Sequence, residues 1–149
     1  MKEDFAAYLR SLGMMDILVK RVEVLFDSYI ELSKDEIKGI FVTDSGLGSV
    51  SAGKGFGSLW FFTEKFLIEM KYFATTNDFD MVPLKNHINH LEISRRDYDF
   101  TKASEKSTLS VRLSFGNGTT REAHGTKDNC NHLKDVLVKH VLPNIKLDN

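Results

Sequence analysis

Gly57-Ser58-Leu59-Trp60-Phe61-Phe62-Thr63-Glu64-Lys65-Phe66-Leu67-Ile68-Glu69-Met70-Lys71-Tyr72-Phe73 is the stretch that decides how this chain folds. Two runs of aromatic and branched residues, Leu59 to Phe62 and Phe66 to Phe73, are separated by Thr63-Glu64-Lys65 alone. That gap is too short for a helix and suits a hairpin loop of about three residues. In the second run Phe66, Ile68, Met70 and Tyr72 alternate with Leu67, Glu69, Lys71 and Phe73. A period of two predicts a strand with one face on a core and the other partly wet.

Working outward, Ala74 to Asp78 turns the chain into a fourth strand over Phe79 to Leu84, where Pro83 marks a strand end or an edge. A fifth strand is expected around Ile88 to Ser94, and Arg95 to Ser107 reads as a charged, solvated loop. Leu109, Val111, Leu113 and Phe115 then alternate with Ser110, Arg112 and Ser114, and Gly116-Asn117-Gly118 turns the chain into Thr119 to Ala123. A three-residue loop there sets Arg112 opposite Glu122 and Val111 opposite Ala123. A two-residue loop would set Leu113 opposite Glu122, so side-chain matching selects the first register. From Asp128 the chain reads as a helix with Cys130, Leu133, Leu137 and Val141 on one stripe, ended by Pro143. Leu133, Leu137 and Val141 are expected to be buried against Phe61, Ile68, Val111 or Leu113.

Upstream, Phe5, Leu9 and Leu12 form a short helical stripe, and Gly13 follows where a left-handed residue commonly ends a helix. A second helix is predicted from Asp16 to about Leu32, with Leu18, Val22, Leu25 and Tyr29 on its stripe. It carries more apolar residues, Ile17 and Val24 among them, than one narrow contact would cover, which implies a wedged helix or a face shared with another subunit. Ser33-Lys34-Asp35-Glu36 fits a capping box on paper. The β-branched and aromatic run Ile37 to Thr43 favours a loop there and then a first strand. Gly46, Gly48, Gly53, Gly55 and Gly57 make Ser45 to Ser58 a loop.

The chain thus reads as α+β: an N-terminal helical segment, 1–34, then a domain over 35–149 of about seven sequential strands capped by a C-terminal helix. The strand order, the Leu59 to Ile68 hairpin, the Val82-Pro83-Leu84-Lys85-Asn86-His87-Ile88 passage and the terminal helix resemble the bacterial pleckstrin-homology-like (PH-like) domains. The resemblance covers about residues 36 to 142. It implies an antiparallel barrel or bent sheet and a binding role. It names no ligand, because the matching residues are core and turn positions. Relatives that bind phosphoinositides carry a basic cluster around the first hairpin loop. Here that region offers Lys38 and Lys54 only.

Composition narrows the function further. The chain has 149 residues, with 20 Lys plus Arg against 21 Asp plus Glu. No basic field is available to hold a phosphate backbone, so nucleic acid is not an expected partner. Cys130 is the single cysteine, which excludes an intramolecular disulfide and suits a reducing compartment, so cytoplasm is the expected location. No apolar run approaches a membrane span, and the acidic start does not resemble a signal peptide.

Gly48 to Gly55 nearly matches a phosphate-binding loop, but Gly55 stands where a Ser or Thr should bind magnesium, and a strand follows in place of a helix. A nucleotide enzyme is therefore the remote reading. His132 and His140 lie roughly 80° apart on a helix, and Cys130-Asn131-His132 offers two ligands where a metal needs three or four. No cofactor, metal or catalytic residue is expected. The candidate binding residues are Lys54 and Phe56 near the glycine loop and Arg95 and Arg96 in the second basic grouping. The favoured partner is a protein or a second copy of the chain. A lipid surface, met by Phe56 as an apolar wedge beside Lys54, is the alternative.

Overall fold

In the computed structural model the described residues are 2–44, 56–84, 87–96, 108–126 and 128–145. They form three α-helices and seven strands in two antiparallel sheets. The expected α+β class is observed, but the strands do not close into one barrel. They ladder as β1 (Gly39–Asp44), β2 (Phe56–Phe62), β3 (Phe66–Lys71) and β4 (Asp80–Pro83) in one sheet, and as β5 (Ile88–Arg96), β6 (Thr108–Phe115) and β7 (Thr120–Thr126) in the other. The chain divides into two compact units, Met1–Val82 and Pro83–Asn149.

In the first unit α1 (Lys2–Ser11) and α2 (Asp16–Ser33) share a core with the first sheet. Ile40, Val42, Leu59, Phe61, Ile68 and Met70 alternate onto one sheet face and meet Leu9, Val22, Leu25, Phe26 and Tyr29 of the helices. The Phe61 ring lies 5.8 Å from Phe26 and 6.3 Å from Tyr29. Phe61 and Ile68, expected beneath the terminal helix, therefore pack in the core of the N-terminal helices, because α2 supplies the aromatic rings that fit that face. Gly13 takes the left-handed conformation (φ 80°) that ends α1, as its position predicted. Lys34 does the same for α2 at φ 58°, donating its N–H to the Ile30 carbonyl, and the segment after Ser33 is not helical. The Tyr8 hydroxyl accepts from the Val42 N–H at 3.1 Å, which ties α1 to β1.

The alternation in β3 holds, but its second face is not wet. Phe41, Trp60, Phe62, Leu67 and Glu69 are all buried, so both faces of this sheet are covered. Tyr72 also departs from expectation: it leaves the strand in a left-handed conformation (φ 54°) and is exposed, while Phe73 takes its place in the core. The Tyr72 carbonyl accepts from the N–H groups of Thr75 and Thr76, so a tight turn replaces the last strand residues. Arg21 on α2 holds that turn, donating to the carbonyls of Phe73 (3.0 Å) and Thr76 (2.6 Å) and to the Asn77 side chain.

Tyr29 carries the first prediction. Its ring is fully buried, and its hydroxyl has no partner within hydrogen-bond geometry among the described residues. Burial pushes its pKa up from the ordinary value of 10.0. A raised pKa adds stability that is present below the unfolded-state value and is lost as pH rises through the folded one. Tyr29→Phe removes an unsatisfied hydroxyl, so it is expected to change stability at neutral pH by less than about 1 kcal/mol. It should also remove part of the alkaline destabilisation above about pH 10. Chemical denaturation at neutral and alkaline pH checks both. A neutral-pH loss of several kcal/mol would show that the hydroxyl is engaged.

In the second unit β6 buries Leu109, Val111, Leu113 and Phe115 and turns Ser110, Arg112 and Ser114 outward. The hairpin register is the expected one: Arg112 faces Glu122 and Val111 faces Ala123. Gly118 supplies the left-handed residue (φ 87°), and Asn117 Oδ1 accepts from the Thr119 N–H at 3.0 Å. β5 runs through Arg96, two residues into the stretch expected as a loop. Leu109 and Thr108 continue the ladder opposite Arg95 and Arg96.

The terminal helix, α3 (Asp128–Val136), packs on β7 and β6. It opens into a π-helical turn over Leu137–Val141 and ends in a 3-10 turn at Leu142–Asn144. Pro143 explains the change, since it has no N–H to continue the helix and its ring crowds the carbonyl four residues back. Asn144 restores one acceptor's partner by donating to the His140 carbonyl at 2.8 Å. Cys130, Leu133, Leu137 and Val141 are buried, as the stripe predicted.

Candidate functional site

The outer face of the second sheet presents an organised polar surface. Cross-strand pairing aligns Glu92, Arg112 and Glu122 in one row and Ser94, Ser110 and His124 in the next. A third row sets His90 beside Ser114 and Thr120. The rows exist because residues two apart on a strand share a face and antiparallel partners lie directly opposite.

Arg112 Nε lies 3.6 Å from Glu122 Oε1, and His90 Nε2 lies 3.5 Å from Glu92 Oε1. Both pairs are exposed, so each is worth at most about 1 kcal/mol. His124 Nδ1 and Ser110 Oγ are 2.8 Å apart. Glu92, Ser94, Ser110, Arg112, Glu122 and His124 line an open depression of about 490 Å³.

A serine beside a histidine has the composition of a nucleophile and its base. Here Ser110 sits on the central strand, laddered to β5 on one side and β7 on the other. The backbone around it is laddered in the sheet on both sides. The face is open rather than enclosed, with one guanidinium between two carboxylates.

Among the described residues no group of three or more His, Cys, Asp and Glu is placed to hold a metal ion. Nor is any described helix long and apolar enough to cross a membrane.

The residues singled out in the sequence are not brought together here. Lys54 and the glycine loop lie outside the described residues. Phe56 opens β2, its backbone opposite Asp44, and Arg95 and Arg96 close β5, opposite Leu109 and Thr108. Phe56 belongs to the first unit and the two arginines to the second. Sequence reasoning found the Arg112–Glu122 pair through the hairpin register. It missed Glu92 and Ser94, because the long connection between β5 and β6 gives no register from which to place them.

One further feature belongs to β5. Ile88 pairs with Phe115 of β6 on one side and, in parallel, with Ile145 on the other. The outer edge of β5 therefore accepts a backbone partner at its start, and no described strand ladders along the rest of it. Ile93 points to the same face as the buried Val111 opposite it, yet is 56% exposed.

Comparison with protein-family models, with curated proteins and with solved structures finds no match to this chain. Fold and site define an α+β protein of two antiparallel meanders, the second offering a polar face and an edge strand.

Proposed function

We propose that this protein is a non-catalytic interaction domain of the PH-like type, recruiting a protein partner or assembling with itself. Seven strands in sequential meanders followed by an amphipathic helix support the PH-like reading. The observation that carries the binding role is the outer edge of β5. Among the described residues it takes up a single backbone pairing, at Ile88, and then presents Asn89, His90, Glu92, Ile93 and Ser94 exposed. Extended peptides bind such edges by adding a strand: main-chain hydrogen bonds give affinity, and pockets for alternate side chains give specificity. Ile93, apolar and exposed on the face where its neighbours are buried, is the natural anchor.

The test is selection of peptides on the whole protein from a display library, followed by titration against Ile93→Arg. Selected peptides should carry apolar residues at alternate positions and should lose at least about tenfold in affinity against the variant. Peptides that bind Ile93→Arg as tightly as the parent, or a selection that enriches nothing, would remove the β5 edge as the binding element.

A further inference from the structure

The outward face of α2 is not explained by its core. Val19, Val22, Leu25, Phe26 and Tyr29 are buried, yet Ile17 is 75%, Val24 55% and Leu32 73% exposed. At 100° per residue these three fall within about 80° of one another, Ile17 and Val24 opposite the buried stripe and Leu32 at its edge, about 20° from Leu25. Lys20, Asp27 and Glu31 share one flank of this seam, within roughly 40° of each other. Ser28 and Arg21 lie on the other. Asp27 is held by Lys2 at 3.1 Å, and Arg21 is turned to the Tyr72–Asn77 turn.

We infer that α2 docks against α2 of a second copy, antiparallel, about a two-fold axis near Val24. This deepens the self-association side of the proposed function and involves the first unit, whereas the peptide edge belongs to the second. Three things select this occupant and orientation.

An isologous pair must be self-complementary, and the flanking charges make the antiparallel arrangement so. It sets Ile17 of one copy beside Leu32 of the other and brings the two Val24 side chains together at the axis. In antiparallel helix pairs like flanks meet, so Lys20 comes within about two residues' rise, roughly 3 Å along the axis, of both Glu31 and Asp27 of the other copy. The two-fold repeats this on the far side. A parallel pair would instead set Lys20 against the flank of Arg21 and Leu32 against that of Glu31, which loses the ion pairs. Among the described residues neither Lys20 nor Glu31 has an ion-pair partner within its own chain, so both are available to the second copy. An 18-residue helix is about 27 Å long, so the contact lies at the small end of interface sizes and the association is concentration-dependent.

Sedimentation velocity of the full chain over a concentration series tests this. The parent should pass from monomer to dimer. Val24→Glu and Lys20→Glu should each lower the association constant by about tenfold or more, and Lys20→Glu combined with Glu31→Lys should recover most of it. Ile93→Arg should leave it unchanged, which separates this inference from the peptide edge. All four positions are exposed, so circular dichroism and the melting temperature should match the parent's. A protein that stays monomeric throughout, or a dimer indifferent to Val24→Glu, would overturn the interface. Failure of the charge exchange to rescue would overturn the antiparallel arrangement.

Discussion

Replacing Trp60 by Phe should destabilise the protein by about 3 kcal/mol, more than its loss of volume alone explains. Trp60 and Glu69 face each other directly across β2 and β3, and both are buried. The indole Nε1–H donates to Glu69 Oε2 at 2.7 Å. Lys71 Nζ is 3.9 Å from the other carboxylate oxygen, but its side chain is mostly exposed and contributes little. Phe keeps the aromatic contacts with Phe41 and Phe62, whose rings lie 6.0 and 5.9 Å from that of Trp60, and removes the donor.

A hydrogen bond to a charged group contributes about 1.5–3 kcal/mol, and a buried carboxylate deprived of one is costly. Glu69→Leu should cost less, about 1–3 kcal/mol, because it strands only a neutral N–H. The double variant should therefore lie well above the sum of the two singles. Trp60 is the single tryptophan, so urea unfolding is best followed by circular dichroism. A double-mutant cycle with coupling under about 0.5 kcal/mol would mean that the pair acts independently.

The second large effect concerns the seat of α3 on β7. Leu137→Ala should cost about 2–5 kcal/mol, since Leu137 is buried at the start of the π-helical turn. Gly125→Ala should cost about 1–3 kcal/mol for the opposite reason. A Cβ at Gly125 would sit 2.7 Å from the Asn129 carbonyl oxygen and 3.2 Å from the Cys130 nitrogen. These are backbone atoms of the first helical turn and cannot swing away as a side chain can. The helix must lift from the strand instead. Hydrogen exchange should then rise over residues 128–141 in Gly125→Ala while β6 stays protected. A Gly125→Ala variant as stable as the parent would show that α3 is seated more loosely than its contacts imply.

Much of this architecture was legible in local pattern. The Gly116-Asn117-Gly118 turn and the charge match of Arg112 with Glu122 set a register that the sheet keeps. The stripe Cys130, Leu133, Leu137, Val141 is the buried stripe of the terminal helix. Turn chemistry, capping and periodicity act over a few residues, so they can be read without knowing what lies opposite.

Of the candidate site, the outward position of Arg112 and its partner were readable for the same reason. Glu92, Ser94 and the outer edge of β5 were not, because they depend on a strand pairing closed across a long connection.

What the sequence by itself determined is therefore the set of elements, their order and, in β3 and β6, which residues share a side. Tertiary structure decided which faces are covered. Alternation in β3 reads as one dry face and one wet face, and nothing local says that Glu69 is buried with Trp60. It decided that Phe61 and Ile68 belong to the helical core, that Tyr72 turns out while Phe73 turns in, and that Arg21 clasps carbonyls more than fifty residues away. It also decided that seven strands part into two sheets. The physical reason is common to all of these. Burial is a property of the surface brought up against a residue by a distant part of the chain, whereas a period of two or of 3.6 reports only which residues share a side.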